Sequence, residues 1–211
     1  MLKNTAYFVL EDAAQGFGGV YKGKKACSLA HSAGTSFFPA KPLGTYGDGG
    51  MIFTDDKEFY DKLTSIRVHG KGSDKYDNIR IGINGRLDTL MAAILLPKVE
   101  IFPEEVELRQ MVANRYSQLL NGVVKTPVVR DYNVSAWAQY SILHPQREKL
   151  MDGLKKEGIP TAVYYPKPLH LQEAFKHLGG KLGDLPVSEK LQQMFSAFQC
   201  IHIYQLPIRI R

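Results

Sequence analysis

One lysine stands inside the apolar stretch SFFPAKPLG, which covers residues 36–44. Lysine side chains usually lay the alkyl stem on apolar surface and keep the ammonium group in water. Lys41 has a proline on each side and two phenylalanines upstream, and such surroundings can instead hold a lysine as a nucleophilic amine in a dry pocket. The stretch therefore allows two interpretations, a surface lysine and a reactive lysine.

Two further segments carry residues that could act with this lysine, EDAAQ at 11–15 and GINGR at 82–86. The first follows an apolar segment that we predict as a buried strand, Ala6 to Leu10. Open α/β sheets place ligand chemistry at the carboxyl ends of parallel strands. Taken alone, an aspartate at a strand end is more often a cap or turn residue, and Asn-Gly usually marks a turn.

Composition is that of a soluble globular protein with one large domain or two small ones. The chain has 211 residues, 44% of them apolar and 23% charged, and these shares are typical of a packed core. No apolar stretch reaches the ~18 residues that a membrane span needs, and the start has no signal-peptide plan. Cys27 and Cys200 are too few and too distant for a disulfide framework or a zinc site. We therefore expect a cytoplasmic protein without a metal site or a membrane partner.

The net charge of +6 raises the possibility of nucleic-acid binding. However, the basic residues are dispersed among acids, and the densest cluster is the short YKGKK at 21–25. No nucleic-acid-binding motif accompanies it. We expect instead a basic surface that suits small ligands carrying phosphate groups, and no nucleic-acid partner.

Residues 51–123 alternate between strand, helix and loop signals. MIFTDD (51–56) predicts a short strand, and the segment after it a helix with Phe59, Leu63 and Ile66 on one stripe. The polar, glycine-rich segment 71–86 predicts a long and functional loop. Helical spacing follows, Pro97 and Pro103 interrupt it, and a new helix is expected to begin at Pro103.

From about Val124 the pattern is that of a second, smaller domain. AWAQYSIL predicts a half-buried strand, QREKLMDGLKKEG a helix that ends at Gly158, and TAVYYP a further strand. SEKLQQMF adds a helix with Ser188 as its candidate cap. This β-α-β order predicts a small α/β domain over residues 124–211, after a first domain over 1–123.

Taken together, these motifs resemble the DegT–StrS family of pyridoxal-phosphate-dependent sugar aminotransferases, of the fold-type-I superfamily. The matching stretches are VLEDAAQGFGGVYKGKKA, SFFPAKPLGTYGDGGMIFTDD, IRVHGKGSDKYDNIRIGINGRLDTLMAAILLPKVEIF and GIPTAVYYPKPLHLQ. The resemblance runs from about Tyr7 to Ser196. It implies an α/β fold: part of the pyridoxal-phosphate (PLP) binding large domain, with a mixed, mostly parallel sheet, and a small C-terminal α/β domain. The most similar subgroup aminates the 3-keto group of a UDP-linked 2-acetamido sugar, with glutamate as amino donor.

The resemblance also implies a role for each residue of the site. Lys41 would form the imine with the cofactor aldehyde and would later move a proton on the substrate. Asp12 would face the pyridine nitrogen and keep it protonated. Gln15 would lie near the ring, and Ser36 would donate to the phosphate. Asn84 would reach the phosphate of the partner subunit, which implies a homodimer with the site at its interface.

Three further residues match family positions near the substrate, Arg86, Tyr165 and His170. The alternatives are that Arg86 caps or salt-bridges the helix after it, that Tyr165 packs in a strand, and that His170 is structural. Some relatives replace the lysine with histidine and catalyse dehydration, so the lysine of this chain favours transamination. The expected substrates are a UDP-keto-sugar and glutamate, in the synthesis of cell-surface polysaccharide.

The chain departs from the family pattern at both ends. Family members carry a further N-terminal part that supplies a phosphate-binding helix N-terminus and an aromatic that stacks on the ring. We therefore expect an N-terminally truncated member with apolar faces exposed, either completed by a separate chain or a non-catalytic fragment. The tail AFQCIHIYQLPIRIR replaces a family ending of the type LPMHPYL, and we expect it to be a frameshift product.

Overall fold

The computed structural model describes residues 7–198. Most of the expected frameshifted tail, and Ala6 of the first predicted strand, lie outside the described residues. The chain forms two compact units. Unit 1 comprises the residues up to Glu107 together with Val129–Ala138, and unit 2 comprises Leu108–Val128 together with the residues from Gln139 on. The domain boundary expected between residues 123 and 124 stays a prediction.

Unit 1 holds most of the strands. In chain order its elements are β1 (Leu10–Asp12), β2 (Val20–Tyr21), β3 (Lys24–Lys25), β4 (Ser32–Ser36), β5 (Gly50–Thr54), α1 (Lys57–Ile66), the first part of α2 (Thr89–Leu119), and β6 (Asn133–Val134). Strands β1, β4 and β5 form a mixed sheet in that order. β1 pairs with β4 in parallel, and β5 pairs with β4 antiparallel. The expected mixed α/β sheet is confirmed, with one of its two pairings parallel.

The first strand begins later than predicted and is less buried. Leu10 is 65% exposed, and the ladder starts at Leu10 rather than at Ala6. One residue earlier, the backbone N–H of Val9 donates to Nδ1 of His31 at 3.0 Å instead of to a strand carbonyl. The predicted strand over Ala6 to Leu10 is therefore confirmed only at Leu10, and the predicted burial is wrong for the described residues of that range.

The core of unit 1 lies between the sheet and α2. Its buried members are Phe37, Leu43, Leu95 and Phe102. Phe17 stacks on Phe102 at a centroid distance of 5.7 Å and on Phe53 of β5 at 6.1 Å. This aromatic stack covers one face of the sheet and supplies much of the apolar burial that stabilises the unit.

The sequence predicts α1 correctly but not α2, whose first part belongs to unit 1. Helix α1 is confirmed, and Asp56 caps it by accepting the N–H of Phe59 at 2.9 Å. Helix α2, however, runs without a break through Pro97 and Pro103, so the predicted new helix at Pro103 is wrong. A proline inside a helix removes one hydrogen bond and crowds the carbonyl four residues back; here burial of Leu95 and Phe102 offsets that cost.

Unit 2 is smaller and is built on one strand pair. It holds the second part of α2, β7 (Tyr140–Leu143), α3 (Arg147–Lys156), two short 3-10 helices (Leu169–Leu171 and Glu173–Leu178), α4 (Pro186–Met194) and β8 (Phe195–Phe198). Strands β7 and β8 pair antiparallel and bury Tyr140, Ile142 and Ala197. Helix α3 is confirmed as predicted.

Two predictions for unit 2 are wrong. TAVYYP (161–166) is not a strand but makes a single bridge from Ala162 to Ala197, because the flanking prolines have no N–H to extend a ladder. Helix α4 begins at Pro186, so its cap residue is Leu185 and not Ser188. No helix in the described part of the chain is both long and apolar enough to span a membrane.

Candidate functional site

Asp12 and Ser36 end two neighbouring parallel strands. Asp12 is the last residue of β1 and lies opposite Gly34 of β4. Ser36 ends β4 two residues further on, which is about 7 Å along a strand. The carboxyl ends of adjacent parallel strands are the usual place for ligand chemistry in an open α/β sheet, and the structure brings these two side chains to that edge.

The carboxylate of Asp12 is largely available to a ligand. It is exposed, and one oxygen accepts the N–H of Ala14 at 3.1 Å. The next residue is fixed from two sides: the N–H of Ala13 donates to the carbonyl of Gly34 at 2.9 Å, and the buried hydroxyl of Thr35 donates to the carbonyl of Ala13 at 3.0 Å. Gln15 lies in the turn that follows and is exposed.

Ser36 and Lys41 belong to one folded turn. The hydroxyl oxygen of Ser36 accepts the N–H of Phe38 at 3.2 Å, which leaves the hydroxyl hydrogen to donate to an anion. The N–H of Lys41 donates to the carbonyl of Phe38 at 2.9 Å, and the N–H of Thr45 donates to the carbonyl of Phe37 at 2.8 Å. The turn is thus closed by backbone hydrogen bonds on both sides of the lysine.

Helix α2 anchors this turn through residues that the sequence did not single out. Lys98 donates from Nζ to the carbonyl of Gly44, and the hydroxyl of Thr45 donates to the carbonyl of Met91 at 3.3 Å. Leu43 is buried in the core. Because the chain is fixed directly after Lys41, the half-buried lysine is carried on a rigid support. Both residues lie in stretches that match the family, but only the folded structure reveals their contacts with this turn.

The side chain of Lys41 is half-buried. Within residues 7–198 no ion pair or hydrogen bond engages its amine. An amine that no carboxylate or carbonyl engages remains available to a ligand. This arrangement is compatible with the reactive interpretation of Lys41.

Asn84 and Arg86 lie on the long loop between α1 and α2 and contact each other. Nε of Arg86 donates to the side-chain oxygen of Asn84 at 2.9 Å, and both residues are exposed. The loop is a narrow two-sided ribbon, because the N–H of His69 donates to the carbonyl of Ile83 at 2.9 Å. The described residues show no hydrogen bond from this pair to Asp12, Ser36 or Lys41.

Tyr165 and His170 both lie in unit 2. Tyr165 is exposed and packs edge-on against Tyr164. His170 is mostly buried, and its Nε2 lies 2.9 Å from Oε1 of Glu189. Burial would raise the pKa of Glu189, but the hydrogen bonds from His170 and from the backbone N–H groups of Gly183 and Leu185 outweigh it, so this pKa is lowered. The pairing favours the structural alternative for His170.

Glu11 is a residue that sequence reasoning did not assign. Its carboxylate accepts the N–H of Cys27 at 2.7 Å and the N–H of Leu29 at 3.1 Å. Burial, with a smaller contribution from the negative charge of Glu11, raises the pKa of the Cys27 thiol to about 11. Glu11 therefore ties the turn before β4 to β1 directly beside Asp12. In the sequence, the only signal for Glu11 is an acidic residue next to Asp12, and this signal does not reveal that Cys27 and Leu29 are its partners.

Asp12 and Ser36 at this edge, together with Lys41 in the turn after β4, fit one class of ligand. Asp12 offers a carboxylate to a cationic ring nitrogen, Lys41 an amine to a carbonyl group, and Ser36 a hydroxyl to a phosphate. Such a set suits a phosphorylated heterocyclic aldehyde. Each side chain keeps a free donor or acceptor for this purpose, as the hydrogen bonds above show.

Comparison with known proteins gives consistent results across sequence and structure. The model of the DegT/DnrJ/EryC1/StrS aminotransferase family matches residues 1–205. The chain is similar to the UDP-2-acetamido-2-deoxy-3-oxo-D-glucuronate aminotransferase of Pseudomonas aeruginosa, at 51% identity over 183 residues, which are 86% of this chain and 50% of that enzyme.

Two solved structures extend the similarity to the fold. A DegT DnrJ EryC1 StrS aminotransferase from Brucella abortus superposes with a TM-score of 0.87 at 50% identity, over 91% of this chain and 52% of that chain. The protein ntda from Bacillus subtilis, solved with bound cofactor PMP, superposes with a TM-score of 0.80 at 27% identity, over 91% of this chain and 45% of that one. The chain thus spans about half the length of the curated relatives it matches.

Proposed function

Because the chain belongs to the DegT/DnrJ/EryC1/StrS aminotransferase family, we propose that it binds PLP and serves amino transfer from glutamate to a UDP-linked keto-sugar. The observation that carries this proposal is that Asp12 and Ser36 lie at the carboxyl ends of the neighbouring strands β1 and β4, with Lys41 in the turn that follows β4. The choice of a UDP-linked substrate is supported by the similarity to the Pseudomonas aeruginosa enzyme.

Different residues of the chain would bind different parts of PLP. When bound, PLP supplies an electron sink and carries the amino group between donor and acceptor. The carboxylate of Asp12 would favour a protonated ring nitrogen by opposite charge. Ser36 would donate its hydroxyl to the phosphate, and Gln15 would orient the ring from the turn after β1. Asn84 would serve the phosphate of a second copy in a homodimer, and its exposure is compatible with that role.

Lys41 has two tasks in this proposal. Its amine would hold the cofactor, and once an incoming amine has displaced it, the free amine would take or return the proton at the reacting carbon of the amino acid or sugar. The turn fixed by Lys98 and Thr45 keeps the amine in place while the proton moves. Arg86 and Tyr165 are proposed to contact substrate, whereas His170 would act only by supporting the segment around it.

The setting is proposed to be cytoplasmic synthesis of a cell-surface polysaccharide such as O-antigen, with a nucleotide-linked sugar as the amine acceptor. The substrate class is supported by the named activity of the Pseudomonas aeruginosa relative. A net charge of +6 is compatible with a ligand that carries a diphosphate.

A second candidate function is a non-catalytic fragment that keeps the family fold. The exposure of large apolar residues on the sheet of unit 1 favours it, because parallel sheets normally have both faces covered. In that case the chain would retain its fold and its lysine but would not turn over substrate.

The test is a titration of the purified chain with PLP, followed by the visible absorbance of the lysine-bound cofactor. We expect the band to appear in the wild-type chain, to vanish in Lys41→Ala, and to remain in Lys24→Ala, which removes an exposed lysine of β3. Trapping with borohydride and mass spectrometry should place the adduct on Lys41. A chain that gives no band, and no adduct even when the complementary half of a relative is added, would exclude PLP binding and leave the fragment reading.

A further inference from the structure

The chain contains two Asn-Gly pairs, Asn84-Gly85 and Asn121-Gly122. In such a pair the backbone nitrogen of the glycine can attack the side-chain amide carbon of the asparagine, because glycine has no Cβ to obstruct the approach. The attack needs a backbone N–H that is not held by another group, and room for the nitrogen to turn towards that carbon. The two pairs therefore share one chemistry, and the folded structure sets how fast each of them reacts.

The pair Asn121-Gly122 is unrestrained. It lies in the turn after α2, and both residues are exposed. Within residues 7–198, no group accepts the N–H of Gly122, and no hydrogen bond holds the side chain of Asn121. A Cβ added at Gly122 would meet no atom within 4 Å. Both the nitrogen and the space for ring closure are thus available.

The pair Asn84-Gly85 is restrained by the ribbon of the long loop. The N–H of Gly85 donates to the carbonyl of Arg67 at 2.8 Å, and the N–H of Ile83 donates to the carbonyl of Ile66 at 2.8 Å. A Cβ added at Gly85 would lie 3.0 Å from the side chain of Ile83. To reach the amide of Asn84, the nitrogen of Gly85 must give up its hydrogen bond in a crowded place.

One contact of Asn84 acts in the opposite direction. Nε of Arg86 donates to the side-chain oxygen of Asn84 at 2.9 Å, and a cationic donor makes an amide carbon easier to attack. The two side chains are exposed, however, and hydrogen bonds between exposed groups are weak. The backbone hydrogen bond of Gly85 should therefore dominate the rate at this pair.

From this contrast we propose that Asn121 is a site of spontaneous deamidation in the folded chain and that Asn84 is protected. The backbone nitrogen of Gly122 bonds to the side-chain carbonyl carbon of Asn121, the bond from that carbon to the amide nitrogen breaks, and ammonia leaves with the proton of the Gly122 N–H. Water then opens the cyclic imide at either C–N bond and gives aspartate or isoaspartate. No cofactor or substrate takes part, so this inference is independent of the proposed reaction.

The protected pair is the one that the proposed function requires. Asn84 is proposed to serve a phosphate, and a carboxylate at that position would repel the phosphate by like charge. At Asn121 the new carboxylate lies in an exposed turn, where the N–H groups of Val123 and Val124 both donate to the carbonyl of Leu120. Deamidation there should disturb only the end of α2.

The test is incubation of the purified full chain at pH 8, in buffer and in concentrated urea, followed by peptide mapping with mass spectrometry. In buffer, Asn121 should convert at least about tenfold faster than Asn84, because only the second pair must break a backbone hydrogen bond. In urea that hydrogen bond is lost and the two rates should converge. Asn114, which precedes Arg115 in α2, is the internal control and should convert far more slowly in both solutions.

Two variants test the attacking nitrogen. Gly122→Ala should slow the conversion of Asn121 severalfold, because a methyl group then obstructs the approach, and it should leave the rate at Asn84 unchanged. Gly153→Ala is the matched control, since the space around Gly153 is also open and no asparagine precedes it, so both rates should stay as in the wild type. Circular dichroism identifies a variant that fails to fold.

Three results would overturn the proposal. The first is conversion of Asn84 as fast as that of Asn121 in buffer. The second is conversion of Asn121 no faster than that of Asn114. The third is a ratio of the two rates that is the same in buffer and in urea, because the contrast would then come from the neighbouring sequence and not from the folded structure.

Discussion

Replacing Glu11 by glutamine should make the Cys27 thiol more acidic and more reactive. In the folded chain burial, and to a smaller extent the charge of Glu11, raises the pKa of Cys27 from 9.0 to about 11. The glutamine has the same size but no charge, so the second cause is removed and the first remains. The pKa of Cys27 should therefore fall, without reaching 9.0.

The size of the effect follows from the thiolate fraction. At pH 8 a thiol with a pKa of about 11 is ionised in about one molecule in a thousand, and each unit by which the pKa falls raises that fraction about tenfold. Since the charge of Glu11 is the smaller cause, the rate of alkylation at pH 8 should rise severalfold and at most about tenfold. A second consequence is structural. An amide oxygen can accept from Cys27 or Leu29 while the NH₂ group faces the other donor, and one lost partner costs about 1–3 kcal/mol.

The assay is the rate of iodoacetamide labelling between pH 7 and pH 10, in a Cys200→Ser background so that Cys27 is the only thiol. Glu100→Gln serves as the control, because Glu100 is an exposed acid of α2. A labelling profile in Glu11→Gln that is the same as in the control would refute the contact between Glu11 and the Cys27 turn. A more basic thiol in Glu11→Gln would refute the electrostatic reasoning.

The same pKa has a consequence for stability. A group with a raised pKa in the folded state contributes stability that is present below its unfolded pKa and is lost as the pH rises through the folded value. For Cys27 the loss should therefore occur between about pH 9 and pH 11. It should be smaller in Glu11→Gln, and urea unfolding at pH 8 and pH 10.5 measures it.

Two further predictions concern stability. Glu189 has a lowered pKa in the folded state, because the hydrogen bonds from His170 and from two backbone N–H groups outweigh the opposing effect of burial. Its contribution to the free energy of unfolding is present above about pH 4.5 and should be lost as the pH falls further. Glu189→Gln should therefore reduce the difference in urea midpoint between pH 6 and pH 3.5. Gly44→Ala should lower the free energy of unfolding by about 1–3 kcal/mol, because the new Cβ would lie 2.6 Å from the carbonyl oxygen of Pro39. Gly153→Ala is its control, since space around Gly153 is open, and it should leave stability unchanged or raise it by up to about 1 kcal/mol.

Elements with a clear apolar period could be predicted from the sequence. Phe59, Leu63 and Ile66 recur at helical spacing, and α1 covers that segment. The glycine-rich segment 71–86 was expected to be a loop, and it contains only isolated bridges. In both cases the signal is local, so neighbouring residues determine the outcome.

Elements that depend on distant partners could not be predicted in the same way. Strand β4 reads SAGTS, which has no apolar alternation, and it exists because it lies between β1 and β5. The prolines of α2 signal a break, but the core contacts of Leu95 and Phe102 determine the helix. A local conformational preference is overridden wherever the free energy gained by tertiary burial is larger than the cost of opposing that preference.

The site shows the same division. The type and setting of Lys41 indicate an amine that could react, but its position depends on Lys98, 57 residues later in the chain, and on the close passage of Gly44 past Pro39. A backbone that passes so near to another leaves no room for a side chain. A short motif can therefore name the reacting residue without giving the contacts that hold it.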